Sequence, residues 1–329
     1  MTPDQSLLDL SDTFFSSAVA LYSVALVAFC AQLAFGRRPQ RARELVLAGG
    51  NPVGGIRDGD LLDGDVADAT ADRAAQRRAH RWGSLAAGLT VLGALTHAAV
   101  LVCRGVALDR LPWGNMYEFA TAVVLVAVVA YVVLALRSPA LRHIGVFVLG
   151  PVVLSMVGIG LFLYVEGAPL VAALRSAWLA IHVTAAIIGF GIFMVSGIAS
   201  ALYLVRTKDE QKPAEARGTG FVSRLPEPSV LDRLAHRTAV FGFPIWTFAV
   251  IAGAIWAESA WGRFWGWDPK ETWAFIAWVV YAGYLHARTT AGWRGRPAAW
   301  VNVIGLVVMV FNLTFVNLVS SGLHSYGGK

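Results

Sequence analysis

Uncharged, apolar runs of about 20 residues recur along the whole 329-residue chain, and a run of that length is read as a membrane-spanning helix. Eight stand out: Phe14 to Phe35, Trp82 to Cys103, Phe119 to Leu136, Ile144 to Val165, Ala177 to Val205, Thr238 to Ala257, Thr272 to Ala287 and Ala298 to Val319. The bilayer interior offers no water to the backbone, so only helices and closed barrels cross it. These runs predict an all-α fold, a polytopic integral membrane helix bundle with about eight transmembrane helices. Only 15% of the residues are charged and 57% are hydrophobic, against about 25% charged in a soluble domain. That excludes soluble, disordered and disulfide-stapled classes. The first run is too long for a signal-peptide core and lacks a basic leader, so it is expected to stay as a span.

The charges set the orientation. The net charge is +6, which in a soluble chain would suggest nucleic acid. Basic residues are retained in cytoplasmic loops, and Arg37, Arg38, Arg41, Arg43, Arg77, Arg78 and Arg81 all fall between the first two spans. With that loop inside, inner segments hold 21 of the 27 Lys and Arg, and the balance is about +9 inside and −3 outside. Both termini are then expected outside, in a cell (cytoplasmic) membrane. The basic excess is a topology signal facing membrane lipid, and no nucleic acid is expected as a partner.

The organisation follows from the spans. Residues 1–36 carry the first helix, 37–81 a flexible cytoplasmic loop, 82–205 helices two to five, 206–237 a second cytoplasmic loop, and 238–329 helices six to eight with an external tryptophan loop over 258–271. The first loop has few large apolar residues to bury. Its run from Asp58 to Asp65 breaks the ligand alternation of a calcium loop at Leu61-Leu62. The second loop holds Pro213, Pro226 and Pro228 and ends in a helical lead-in from Ser229. Cys30 and Cys103 sit in apolar helices as packing residues.

Between Trp256 and Trp278 the chain reads WAESAWGRFWGWDPKETWAFIAW, six of its twelve tryptophans within 23 residues. A belt at the membrane interface uses tryptophan at helix ends. Here Trp261, Trp265 and Trp267 are interleaved with glycines in an expected loop, which suits a platform for a flat, conjugated ligand. Asp268 is placed to cap the helix begun by Pro269, and Glu271 favours that helix's positive end.

Of the seven histidines, His182 lies near the outer end of the fifth span and His324 just past the last span, on the tryptophan side. His286 follows Asp268 by 18 residues, or roughly 27 Å of helix at about 1.5 Å per residue, at the inner end of the seventh span. Histidine within an uncharged helix marks a functional candidate, and neutral imidazole is an axial ligand for haem iron. A packing role is expected for His97, and solvated or headgroup-facing roles for His80, His143 and His236. Arg175, seven residues before His182, and Arg263 inside the tryptophan loop are candidate contacts for carboxylates or for a protein client. A dihaem b-type electron-transfer protein and a transporter with only an aromatic belt are the competing classes.

The stretch Trp261-Gly-Arg-Phe-Trp265-Gly-Trp267-Asp268-Pro269-Lys270-Glu271-Thr272-Trp273 is very similar to the tryptophan-rich WWD signature of haem-handling cytochrome c assembly proteins, and resembles most the CcsA (ResC) branch of system II. Ala177-Trp178-Leu-Ala-Ile-His182, Ser321-Gly-Leu-His324-Ser-Tyr326 and Tyr284-Leu-His286-Ala-Arg288 resemble that family's two external histidine segments and its membrane histidine. Leu231 to Pro244, and Pro112 with Asn115, Tyr117 and Glu118, resemble further family segments. The resemblance implies a subunit of a cytochrome c synthase, acting with a CcsB/ResB (Ccs1)-type partner. It implies that haem b, held at His286 and passed outward to His182 and His324, is attached to the Cys-x-x-Cys-His motif of apocytochrome c. Trp261, Trp265, Trp267, Asp268 and Trp273 would then flank the haem, with Arg175 and Arg263 near its propionates. No catalytic nucleophile is implied, because attachment rests on presenting the haem.

Overall fold

The computed structural model describes residues 4–35, 58–137, 142, 144–168, 174–213, 222, 225–317, 319–320 and 322–323, and of residues 58–72 the backbone alone. Its helices are α1 (Gln5–Phe35), α2 (Asp58–Ala107), α3 (Met116–Arg137), α4 (Gly145–Phe162), α5 (Ala177–Glu210), α6 (Pro228–Trp261), α7 (Pro269–Thr289) and α8 (Arg296–Phe311), the last running into a π-helical turn at Asn312–Val316. Among the described residues there is no strand. Seven helices are long and apolar enough to cross a membrane. The eighth, α7, has 21 residues and carries Lys270, Glu271, His286 and Arg288 towards its ends.

Two apolar cores organise the bundle, and α3 belongs to both. Tyr22 and Phe29 of α1, Val128 and Tyr131 of α3, and Leu149 and Met156 of α4 form one, closed by Ala86 of α2. Phe190 and Phe193 of α5, Trp246 and Trp256 of α6, Tyr281 of α7 and Met309 of α8 join Ala122 and Val123 of α3 in the other. Since lipid tails are as apolar as leucine, packing and interhelical polar contacts hold such helices together. Asn302 of α8 supplies one of these, donating to Ser196 Oγ at 2.9 Å and Ser200 Oγ at 2.8 Å on α5.

A second polar device ties loops to one end of the bundle. Glu118, in the first turn of α3, is fully buried between Arg104 of α2 (3.3 Å) and Arg110 (2.7 Å). Both arginines also donate to main-chain carbonyls past α4, those of Val165 and Ala168. Glu118 accepts the Gly114 N–H at 2.7 Å. The Asp4 N–H reaches the Ala107 carbonyl, and the Leu323 N–H reaches Asp268 at 2.8 Å. Both ends of the described chain therefore lie at the tryptophan end.

The expected flexible loop over 37–81 is corrected in part. Residues 58–81 belong to α2, while 37–57 lie outside the described residues. A segment too polar to build a core can still extend a helix that the membrane has already nucleated, and the Ala, Arg and Gln residues from Arg73 to Arg81 are strong helix formers. For the same reason α5 runs on to Glu210 and α6 begins at Pro228, so the second expected loop narrows from both sides.

Candidate functional site

His182 is placed by the start of α5. Ser176 caps that helix, its hydroxyl accepting the Trp178 N–H at 3.2 Å, which sets His182 one and a half turns in. Across the interface with α6 its Nδ1 lies 2.7 Å from the Ala249 carbonyl. A carbonyl only accepts, so Nδ1 carries a proton, and in the neutral ring the lone pair is on Nε2. A second ring nitrogen fixed in this way is how metal-binding imidazoles are oriented. Gly253 makes the approach possible, because a Cβ there would stand 2.7 Å from both Cε1 and Nδ1 of the ring. The ring stacks on buried Trp256 at 6.1 Å and 12°, and Trp256 meets Trp261 edge-on at 4.8 Å.

His182 and Trp256 line a cleft whose empty space, mouth included, is about 1240 Å³. Phe264 and Trp265 of the loop form one side of the cleft and Trp113 to Met116 another. Asn312 and Asn317 reach it from the π-helical turn, and the buried Asn312 Oδ1 has no hydrogen-bond partner among the described residues. Turns of this type often mark functional sites. Lys270 also lines the cleft. Lying before the apolar span that starts at Thr272, its ammonium is pushed down to about 8 by burial, with Asp268 opposing.

The loop is a tight strap between α6 and α7. Its glycine-capped start (Gly262, φ 70°) and Trp267 (φ 57°) both take left-handed backbone. For a residue as bulky as tryptophan this costs on the order of 1–3 kcal/mol, offset by a dense set of hydrogen bonds. Glu271 Oε2 accepts the N–H of Gly266 (2.8 Å) and Asp268 (3.1 Å), Asp268 accepts the Lys270 N–H (3.0 Å), and Thr272 Oγ1 donates to the Trp267 carbonyl (3.2 Å). Asp268 and Glu271 thus form the capping box of α7.

The expected site residues divide. His182 and Trp265 line the cleft. Trp261 is the last residue of α6 rather than a loop residue and backs Trp256. Trp273 packs on Phe311 of α8 at 4.4 Å. Trp267 is 65% exposed and meets Trp265 edge-on. Arg263 pairs with Glu271 at 3.3 Å, its guanidinium 5.9 Å from the Trp261 ring centre. Arg175 is exposed just ahead of Ser176. His324 and His143 lie outside the described residues. His286 is exposed on α7 near its far end, two residues before Arg288, which pairs with Asp232, and among the described residues no hydrogen bond reaches its ring. His97 is fully buried, its Nδ1 3.3 Å from the Tyr22 hydroxyl, as expected of a packing residue. Reasoning from sequence did not single out Trp113, Phe264, Lys270, Asn312 and Asn317 as cleft residues. The two asparagines carried a readable signal, being polar residues inside an apolar run.

Residues 113–324 match the family model described as Cytochrome C assembly protein. The chain is 36% identical over 262 residues to the "Cytochrome c biogenesis protein CcsA" of Guillardia theta, covering 73% of this chain and 84% of that protein. It is 34% identical over 307 residues to the protein of the same name from Gloeobacter violaceus, covering 77% and 89%. The matched region opens at the cleft wall, takes in His182, the tryptophan strap and His286, and closes at His324. The chain belongs to the cytochrome c assembly protein family, with CcsA-type relatives.

Proposed function

We propose that this protein is a subunit of a system II cytochrome c synthase, which carries haem to the outer face of the membrane and presents it for thioether attachment to the Cys-x-x-Cys-His motif of apocytochrome c. The observation that carries the reading is His182, an imidazole with Nδ1 tied to the Ala249 carbonyl and its ring in a tryptophan-lined cleft. That donor suits the iron of haem b, with His324 as the second ligand on the same side. Bis-imidazole ligation would keep the iron from oxygen chemistry until the client's histidine replaces one ligand.

In this reading His286 serves haem at the other end. Its exposure on α7 suits a shared haem whose second ligand comes from a CcsB/ResB (Ccs1)-type partner. The cations near the cleft hold the propionates. Arg263 already answers Glu271, so Lys270 joins Arg175 and Arg263 in that role. The exposed rings of Phe264 (60%) and Trp267 (65%) face the client or the lipid headgroups. The protein contributes position rather than a nucleophile, since holding two thiols beside the vinyl groups supplies proximity and orientation. A dihaem b-type electron carrier needs histidines paired across helices, and the buried His97 is instead engaged by Tyr22.

The test uses the complex purified with its membrane partners. His182→Ala and His324→Ala strains should lose covalent cytochrome c while other redox enzymes stay active, and the purified proteins should lose low-spin haem absorption. Full cytochrome c assembly in either strain would overturn the assignment.

A further inference from the structure

Away from the cleft, α4 and α5 both pack on α3 but scarcely on each other, which leaves a seam between them. Short side chains one turn apart keep it open: Val123 and Ala127 on α3, Val148 and Val152 on α4, Val195 and Ala199 on α5. The empty space, mouth included, is about 760 Å³, and of the residues lining it only Tyr131 and Ser155 carry polar side chains. From Val123 to Leu134 the seam follows eleven residues of α3, or roughly 16 Å at about 1.5 Å per residue. Half of a hydrocarbon core about 30 Å thick is close to that, so the seam has the depth of one leaflet. Because α3 starts at the cleft wall and α6 ends at Trp261, Leu134 and Leu234 mark the mouth at the end opposite the tryptophan strap.

That mouth is basic. Arg142 is built into it: Tyr131 donates its hydroxyl to the Arg142 carbonyl at 2.8 Å, and Arg142 Nε donates to the Ala135 carbonyl at 3.3 Å. Its two terminal NH2 groups have no hydrogen-bond or ion-pair partner among the described residues. Arg233 and Arg237 flank Leu234 on α6, both exposed, and neither joins an ion pair among the described residues. The acids of α5 and α6 at that end do not answer them. Asp209 and Glu210 pair with Arg206, Asp232 pairs with Arg288, and Glu227 is exposed ahead of α6. We propose that the seam binds one anionic phospholipid such as phosphatidylglycerol, with an acyl chain laid along α3 and its phosphate against Arg142 and the α6 arginines. Guanidinium forks match phosphate oxygens in pairs, and basic pockets between spans recognise anionic head groups. The lining holds no imidazole that could bind iron, and an aliphatic chain suits its walls. Since α3 belongs to both apolar cores, with α4 in one and α5 in the other, the lipid joins the cores along a line where their side chains scarcely meet.

The test titrates the full complex in detergent with phosphatidylglycerol or phosphatidylcholine and reads bound lipid by native mass spectrometry. Phosphatidylglycerol should bind more tightly. Arg142→Gln combined with Arg237→Gln should weaken its binding on the order of tenfold, because each basic residue beside an anionic head group adds to the attraction, and should leave phosphatidylcholine unchanged. Val195→Phe, which fills the seam, should lower binding of both lipids. A phosphatidylglycerol with a photoreactive acyl chain should label α3, α4 and α5 along the seam, and short-chain phosphatidylglycerol should not compete. That labelling needs no variant, so it decides the matter if Val195→Phe fails to fold. Equal affinity for the two lipids in the unmodified complex, or full phosphatidylglycerol binding in the double arginine variant, overturns the head-group site. Labelling confined to other helices, or cross-links from the seam to a partner subunit in place of lipid, overturns the occupant. Labelling abolished by added haem would give the seam to haem and overturn it as well.

Discussion

His182 and Gly253 form a pair in which one residue supplies chemistry and the other supplies space. The imidazole reaches the Ala249 carbonyl only because Gly253, one turn along α6, leaves the gap open. Gly253→Ala should therefore swing the ring away without unfolding the bundle. A misplacement of about 1 Å in a reacting group can cost roughly a hundredfold, so covalent cytochrome c should fall by about that factor, read by haem staining of membrane fractions. At Lys270 the prediction concerns charge. Lys270→Met should weaken retention of haem but leave binding of haem dimethyl ester, which has no propionate charge, as in the unmodified protein. Equal loss of both ligands would mean that Lys270 only packs. His182 was legible in the sequence because an imidazole stands out in an uncharged run. Gly253 was not legible, because its purpose exists only where α5 and α6 touch.

The strap and its cap show what local sequence can determine about an element. Asp268, Pro269 and Glu271 are spaced as a capping box, and the structure forms it. Glu271 also takes on the Gly266 N–H and the Arg263 guanidinium, partners no spacing rule supplies. Glu271→Ala should therefore cost more than the typical ~1 kcal/mol of a lost cap, on the order of 2–3 kcal/mol once the buried N–H groups are left unpaired. A lowered thermal midpoint in detergent with reduced near-ultraviolet dichroism of the tryptophans would check it. The helix boundaries were less legible. Composition over 58–81 argues against a folded core, yet the chain there is helical, because a helix propagating out of a membrane span needs no core of its own. The π-helical turn at Asn312–Val316 was likewise hidden, since its hydrogen bonding depends on how α8 meets the cleft.

In the whole molecule, the buried Arg104–Glu118–Arg110 group ties α2, α3 and the chain past α4 together at the tryptophan end. Glu118→Gln would leave two buried guanidinium groups without their carboxylate, a change worth about 3–5 kcal/mol. The thermal midpoint of the purified complex should drop, and haem retention should fall with it, because Glu118 also holds the Gly114 N–H in the cleft wall. Topology makes a separate prediction. A reporter active only outside the membrane, fused after Lys329, should be active, and the same reporter within 206–237 should be silent. By itself the sequence determined the solvent, the all-helical class, a series of seven to eight long apolar helices and the charge asymmetry, and it pointed to a candidate site of tryptophans and histidines. Those follow from local chemistry: apolar length, backbone satisfaction in lipid, and residue types that suit a flat ligand and its iron. The tertiary structure decided which rings line the cleft and which merely back it, that the Ala249 carbonyl accepts the Nδ1 proton of His182, that Lys270 rather than Arg263 lines the cleft, and that Asp268 binds the Leu323 N–H. Each of these is a contact between residues tens of positions apart, and such contacts exist only once the helices have chosen their neighbours.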